Sequence, residues 1–236
     1  MNLPGIEVRR LERCGSTNAV LLGEGKPNVL LAAEMQTAGR GRRGKRWHSA
    51  PGAGVTFSLS IRMSKPNPGL SLVAGVACAR ALRALGAARV ALKWPNDLVV
   101  DGAKLGGILV EARGTLAVIG VGINCRRDAA LEAKLRRPLA SLDQFITVNR
   151  DQVIERVAAS LLGALASFEA QGLEPLRAEW ERMHAHAGER VRVRLADGRV
   201  LTGRARGLDR EGALEIETRA GVRAVRSGHV LSARPA

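Results

Sequence analysis

The sequence predicts a mixed α/β domain over residues 1–187, followed by a small β-barrel domain over residues 188–236. Before residue 188, segments with strand-like alternation are separated by segments with helical periodicity. From Gly188 onward, short alternating segments recur about every ten residues and are separated by glycine turns, which is typical of a small barrel. Apolar residues make up 46% of the 236, so the chain can bury a substantial core.

The elements of the first domain follow from these periodicities. Predicted strands cover residues 6–9, 29–34, 55–61, 90–93, 98–100, 108–111 and 116–124, and predicted helices cover 19–22, 68–85, 151–171 and 175–184. Ser16, Thr17 and Asn18 form an N-cap pattern for the first helix. Asp101-Gly102 predicts a hairpin turn, and a short helix is expected to start within 138–142.

The second domain is predicted as four short strands, over residues 191–195, 200–206, 213–218 and 222–226. It contains no Phe, Tyr or Trp. This absence argues against the aromatic stacking surface that is typical of single-strand nucleic-acid binders.

Composition limits the class of protein. The formal net charge of +15 favours anionic partners such as nucleotides, nucleic acid or an acidic protein surface. No apolar run reaches the roughly 20 residues that cross a bilayer, and the N-terminus has no signal-peptide pattern. Three scattered cysteines predict reduced thiols in a cytoplasmic protein. His184 and His186, two positions apart, would face different ways on a helix and are not expected to share a metal.

Residues 36–47, Gln-Thr-Ala-Gly-Arg-Gly-Arg-Arg-Gly-Lys-Arg-Trp, are the most unusually composed stretch of the chain. Glycines allow close backbone approach, arginine forks match phosphate and carboxylate oxygens, and tryptophan offers a face for a base. The stretch predicts a loop that closes over an anionic, aromatic ligand. A solvated basic loop or a nucleic-acid contact is the alternative, of about equal weight on this stretch alone.

Further polar groups lie at predicted strand ends, where α/β proteins usually bind ligands. They comprise Lys93 with Asn96 and Asp97, Lys104 before Gly106-Gly107, and Asn124, which is alternatively a simple turn former. We find neither a Ser-His-Asp pattern nor a phosphate-loop motif in the sequence. This combination favours direct transfer between bound substrates, with an acid attacking a nucleotide phosphate amid dense positive charge.

The ordered motifs resemble those of biotin–protein ligases, and the resemblance covers nearly the whole chain. They are Ser16-Thr17-Asn18, Gln36, Gly39-Arg40-Gly41-Arg42-Arg43-Gly44 with Trp47, Lys93-Trp94-Pro95-Asn96-Asp97, Lys104-Leu105-Gly106-Gly107-Ile108-Leu109 and Gly122-Ile123-Asn124. The resemblance implies a mixed-sheet catalytic domain of the biotin/lipoate ligase type, followed by an SH3-like barrel. It also implies a two-step reaction, in which biotin and ATP form biotinyl-5′-AMP with Mg²⁺ and a lysine on the biotin carrier domain of a carboxylase then takes the biotinyl group.

The resemblance also implies residue roles. Lys104, Arg40 and Arg42 would be catalytic. Biotin would contact Ser16, Thr17, Asn18, Gln36, Arg40, Gly41, Arg42, Lys104, Gly106 and Gly107. ATP and the adenylate would contact Arg40, Arg42, Arg43, Trp47, Lys93, Asn96, Asp97, Lys104 and Asn124. Asp97 would assist Mg²⁺.

The sequence also leads to expectations about binding partners and leaves alternative functions open. The matching region begins almost at Met1, so no DNA-binding repressor domain and no specific DNA binding are expected. No membrane contact is expected, and a homodimer is compatible with the sequence. The alternatives are a lipoate–protein ligase, a basic nucleic-acid-binding module and an idle homologue. The last is disfavoured because Lys104 and Arg40 are both present.

Overall fold

The computed structural model describes residues 3–64 and 69–235, which fold into two β-sheets and five α-helices. The larger sheet contains β1 (Glu7–Cys14), β2 (Val29–Gln36), β3 (Gly54–Arg62), β4 (Ala91–Lys93), β5 (Asp97–Val100), β6 (Ala103–Arg113) and β7 (Leu116–Asn124). Its strand order is β1-β2-β3-β7-β6-β5-β4. Only the β1–β2 pair of this sheet is parallel, within the residues described.

Both faces of the larger sheet are covered. Side chains alternate along β2, so Leu30 and Ala32 join the main core while Val29 and Leu31 join a smaller core with Leu21 of α1 (Thr17–Glu24). The main core also includes side chains of α2 (Leu70–Ala84), α4 (Arg150–Gln171) and α5 (Glu174–Arg182). The start of α1 therefore lies on the opposite face of the sheet from the long helices.

The second sheet is antiparallel and packs against the first domain. Its strands are β8 (Arg190–Leu195), β9 (Val200–Leu208), β10 (Leu214–Thr218), β11 (Gly221–Val225) and β12 (Gly228–Arg234), in the order β11-β10-β9-β8-β12. The indole of Trp94 donates to the carbonyl of Gly212 at 3.3 Å, and Glu181 accepts from the backbone of Leu208 at 3.2 Å. The apolar core runs continuously through both sheets. The domain boundary at residue 188 stays a prediction.

The predicted fold class, a mixed α/β domain followed by a small antiparallel β-unit, is confirmed. The sequence pattern missed α3 (Ala129–Leu135), a short helix with little apolar face that is capped by Asp128. It also missed β12, a short strand in which Val230 is the one apolar side chain that is fully buried. In place of a helix starting within 138–142, a single 3₁₀ turn occupies Leu142–Gln144. Pro68, the expected start of the second helix, lies outside the described residues.

Three further observations bear on the sequence predictions. No helix in the described ranges is long and apolar enough to span a bilayer. Cys14, Cys78 and Cys125 are free thiols, and burial raises the pKa of Cys78 to about 12.

Asp97, expected in a turn, is instead the first residue of β5, because it pairs with Lys93 across the tight turn at Pro95.

Acid is expected to destabilise the fold through buried histidines. Burial, and next the neighbouring His186, lower the pKa of His184 to about 3, and its ring packs against Trp180 at a centroid distance of 4.5 Å. In the unfolded chain His184 takes up a proton near pH 6.5, whereas in the folded protein it stays neutral until about pH 3. The free energy of unfolding therefore falls as the pH drops from 6.5 toward 3. The slope is about 1.4 kcal/mol per pH unit for each such group.

Urea unfolding between pH 7 and pH 4.5 measures this slope. A His184→Phe variant removes the titrating group and is expected to unfold with a shallower pH dependence. An unchanged slope in that variant would show that His184 does not contribute.

Candidate active site

A cavity of about 290 Å³ opens on the face of the larger sheet that carries α1. Its lining is polar and neutral near the start of α1, and cationic near the loop 39–47 and the turn before β5. The predicted site residues that line it are Ser16, Thr17, Asn18, Gln36, Arg40, Gly41, Arg42, Arg43, Trp47, Asn96, Asp97, Lys104 and Gly107. The fold therefore gathers side chains from stretches that are far apart in the sequence.

The neutral end is a buried hydrogen-bond network. Thr17 Oγ1 lies 2.6 Å from Ser58 Oγ, which donates to Asn18 Oδ1 at 2.6 Å. The backbone N–H of Thr17 donates to Gln36 Oε1 at 2.7 Å, and the Thr17 hydroxyl, which donates to Ser58, lies 3.1 Å from the same oxygen. Thr17, Asn18 and Ser58 are almost fully buried. Buried polar groups are costly unless they are satisfied, so this end is a pre-formed polar receptor.

The Gly/Arg loop is folded over the cavity. Arg40 pairs with Arg46 in an antiparallel bridge, and Gly41 donates through its backbone to Lys45 at 2.7 Å. The tight turn between them places Arg43 at φ 55°. Arg43 reaches the second sheet, where its guanidinium donates to Ser227 at 3.2 Å. The loop is thus tied to the turn that precedes β12.

Trp47 lies directly on β7. A Cβ added to Gly122 would meet the indole Cε2 at 2.4 Å, so only glycine allows this contact. The Lys104 ammonium lies 6.0 Å from the ring centroid, within cation–π range. The indole N–H is buried and has no protein partner among the described residues. Trp47 is therefore packed with its indole nitrogen against β7, and the residue as a whole lines the cavity.

The cationic end is organised around Asp97. Lys104 Nζ forms an ion pair with Asp97 Oδ1, and Arg42 donates to Asn96 Oδ1 at 3.5 Å. Burial, and then the charge of Arg43, lower the pKa of Arg42, while Asp97 opposes the shift. Crowded cations with one carboxylate suit a polyanionic ligand.

Three predicted residues do not line the main cavity: Lys93, Gly106 and Asn124. Gly106 allows β6 and β7 to approach, since a Cβ there would meet the Gly122 carbonyl at 2.6 Å. Asn124 donates to the carbonyls of Lys104 at 3.2 Å and Ala140 at 3.0 Å. Burial lowers the pKa of Lys93, with Asp97 opposing. Asn124 therefore supports the backbone of Lys104.

Sequence reasoning missed several residues of the site, and four of them have side chains that join the polar network or come from the second sheet. Ser58 and Glu111 complete the polar network, and Arg194 and His229 of the second sheet line the cavity. Burial first, and then Lys45 and Lys93, lower the pKa of His229 to about 4. The serines that alternate with Phe57 and Leu59 along β3 were a usable signal. In a strand buried on both faces, polar side chains need hydrogen-bond partners, so a row of serines indicates a buried polar network.

Comparison with known proteins identifies the family. Residues 12–125 match the model of the biotin/lipoate A/B protein ligase family, and residues 186–231 match that of the biotin protein ligase C terminal domain. The chain is 34% identical over 233 residues to the biotin–[acetyl-CoA-carboxylase] ligase of Mycobacterium tuberculosis. The aligned residues cover 93% of this chain and 86% of that protein. This chain belongs to the biotin protein ligase family.

Other members of the family agree. The bifunctional ligase/repressor BirA of Escherichia coli is 37% identical over 227 residues, covering 91% of this chain and 70% of BirA. The biotin protein ligase of Aquifex aeolicus in complex with biotin and ATP superposes with a TM-score of 0.86 at 26% identity, covering 98% and 99% of the two chains. In that ligase, one fold binds both small molecules.

Proposed function

We propose that this protein is an ATP-dependent ligase that activates biotin as biotinyl-5′-AMP and transfers the biotinyl group to a lysine of a biotin carboxyl carrier protein. The observation that carries the proposal is that the neutral, hydrogen-bonding end and the cationic end adjoin each other within one cavity. Biotin has a neutral ureido ring and a carboxylate, and ATP is a polyanion. The two ends of the cavity match these ligands in charge and in polarity.

The neutral end fits the ureido ring better than the rival dithiolane ring of lipoate. A ureido group has one carbonyl and two N–H groups, which Ser16, Thr17 and Asn18 of the cavity lining can satisfy with hydroxyl and amide groups. A dithiolane ring makes no such hydrogen bonds and would supply no partner to polar atoms that line this end of the cavity, at a cost of about 1–3 kcal/mol for each atom left without one. The polarity of this end favours biotin.

The cationic end fits the first step. A carboxylate oxygen of biotin attacks the α-phosphorus of ATP, the bond to the bridging oxygen breaks, and pyrophosphate leaves. Lys104, Arg40 and Arg42 offset the negative charge that builds up when two anions meet. In the second step a neutral lysine amine attacks the acyl carbon, AMP leaves, and the amine loses a proton.

Mg²⁺ is a proposed cofactor. Across residues 3–64 and 69–235 no group of three or more His, Cys, Asp or Glu side chains gathers around a metal position. Mg²⁺ at nucleotide sites commonly uses one or two carboxylates together with substrate phosphates, so Asp97 with the triphosphate fits it. The ion would supply charge neutralisation on the phosphates.

The wider assignments are also proposals. We infer a cytoplasmic enzyme whose acceptor is the biotin carrier domain of a carboxylase. A homodimer and the lack of specific DNA binding remain predictions from the sequence.

Biotin-dependent exchange of labelled pyrophosphate into ATP tests the proposed function. Biotin should support exchange and lipoate should not, and labelled biotin should then appear on a purified carrier domain. Folded protein that shows no biotin-dependent exchange would contradict the proposal. Retention on DNA with a steep salt dependence, combined with no exchange, would favour the nucleic-acid-binding alternative.

Arg40→Gly is expected to loosen retention of the adenylate, so that biotin reaches non-cognate lysines. Arg40 lies in the loop that covers the cavity and is anchored there to Glu111 at 3.4 Å. Release of labelled biotinyl-5′-AMP after a single turnover, together with biotinylation of serum albumin, measures the loss. Unchanged release in this variant would argue against a sealing role for Arg40.

A further inference from the structure

Glu111 lies beside the active site without lining the main cavity. It is on β6 opposite Val118 of β7, and its side chain is 27% exposed. A second cavity, of about 450 Å³, is lined by loop residues 38–46 together with Leu109 and Glu111. Glu111 therefore faces the underside of the Gly/Arg loop.

The two carboxylate oxygens of Glu111 have different partners. Oε2 accepts a hydrogen bond from Asn18 Nδ2 at 2.9 Å, and Oε1 accepts from Arg40 Nη1 at 3.4 Å. One partner is a buried residue at the neutral end of the cavity, and the other is a cation of the loop. In the part of the chain that the structure describes, this is the only ion pair that a loop cation forms within 4.0 Å.

These contacts form a chain of hydrogen bonds. It runs from Gln36 to Thr17, then to Ser58 and Asn18, and through Glu111 to Arg40. Gln36 ends β2 and Arg40 follows four residues later, so the chain of hydrogen bonds begins and ends on the same segment of the backbone. A ligand that takes over hydrogen bonds of Thr17 or Asn18, which line the cavity, would change the bond to Glu111 and, through it, the placement of Arg40.

We propose that Glu111 is a positioning residue that couples occupation of the neutral end of the cavity to the placement of Arg40, and so sets how long the activated intermediate is held. The proposal rests on the proposed function, because the intermediate is biotinyl-5′-AMP. A carboxylate suits the role, since each oxygen accepts from one donor. A glutamine at position 111 would have only one acceptor oxygen, and its N–H₂ group would face the other donor, with which it cannot form a hydrogen bond.

Glu111→Gln is the sharpest test, since it changes neither size nor backbone. Because the ion pair is partly exposed, its loss should raise the rate at which labelled adenylate is released by about twofold to fivefold. The KM for biotin should stay near the wild-type value, since the glutamine oxygen can still accept from Asn18. Glu111→Ala removes both acceptors and should also raise the biotin KM, by about tenfold.

A double-mutant cycle separates positioning from a structural role. In an Arg40→Gly background, Glu111→Gln should cause no further increase in release, because its effect passes through Arg40. Glu179→Gln is the matched control: its side chain is 24% exposed and pairs with Arg80, between α2 and α5. It should leave the release rate unchanged.

Two results would overturn the role of Glu111: wild-type release by Glu111→Gln, or a full additional increase in the Arg40→Gly background. Both presuppose biotin-dependent exchange by the wild-type protein. If the wild type lacked that exchange, the proposed function itself would fail.

Discussion

Replacing Lys104 with methionine is expected to lower biotin-dependent ATP–pyrophosphate exchange by about three orders of magnitude. The ammonium group lies between Asp97 and the ring of Trp47, where the carboxylate of one substrate and the phosphate of the other would meet. The methionine keeps an unbranched side chain only one atom shorter but removes the positive charge. Steady-state exchange rates at saturating biotin and ATP measure the effect, which should appear in kcat.

Two controls sharpen this experiment. Lys134→Met changes an exposed lysine of α3 and should leave exchange unchanged. Lys104→Met with Asp97→Asn removes the carboxylate that the single variant leaves unpaired. Recovery of activity in that double variant would show that the loss came from the orphaned charge of Asp97, and would contradict a direct role for Lys104.

Gly120→Ala is expected to raise the KM for biotin by about a hundredfold, corresponding to the loss of two or three buried hydrogen bonds. An added Cβ would lie 2.3 Å from Asn18 Oδ1. The strand cannot move away, because Gly120 pairs with Ser58 of β3 on one side and Leu109 of β6 on the other. Asn18 must therefore leave the position in which it accepts from Ser58.

Calorimetric titration with biotin measures this loss directly, and circular dichroism checks that the variant is folded. Gly163→Ala is the matched control, since a Cβ there meets no atom within 4 Å and the residue lies inside α4. It should bind biotin normally and gain about 1 kcal/mol of stability. If Asn18→Ala still weakened biotin binding in the Gly120→Ala protein, the clash with Asn18 would not explain the defect.

Much of the site could be predicted because its motifs are dense and local. Glycines next to arginines in 36–47 and lysines at strand ends are seldom needed to build a fold, so they indicate a binding site. The long strands and α4 were predictable for a similar reason, since periods of 2 and 3.6 residues are local properties. The missed elements, α3 and β12, carry weak apolar patterns, and tertiary packing decides them.

The sequence by itself determined the chemistry of the site: the cations of the loop, Lys104 with Asp97, and the small polar residues before α1. The tertiary structure alone decided which of these groups meet. Strand pairing brings both β3 and β6 beside β7, where Trp47, from the loop before β3, lies on Gly122 and Glu111 of β6 lies between Asn18 and Arg40. It also turns His229 of the second sheet into the cavity. Such contacts join residues that are tens to hundreds of positions apart, and no local pattern records them because they depend on strand register and on which face of a sheet each helix covers.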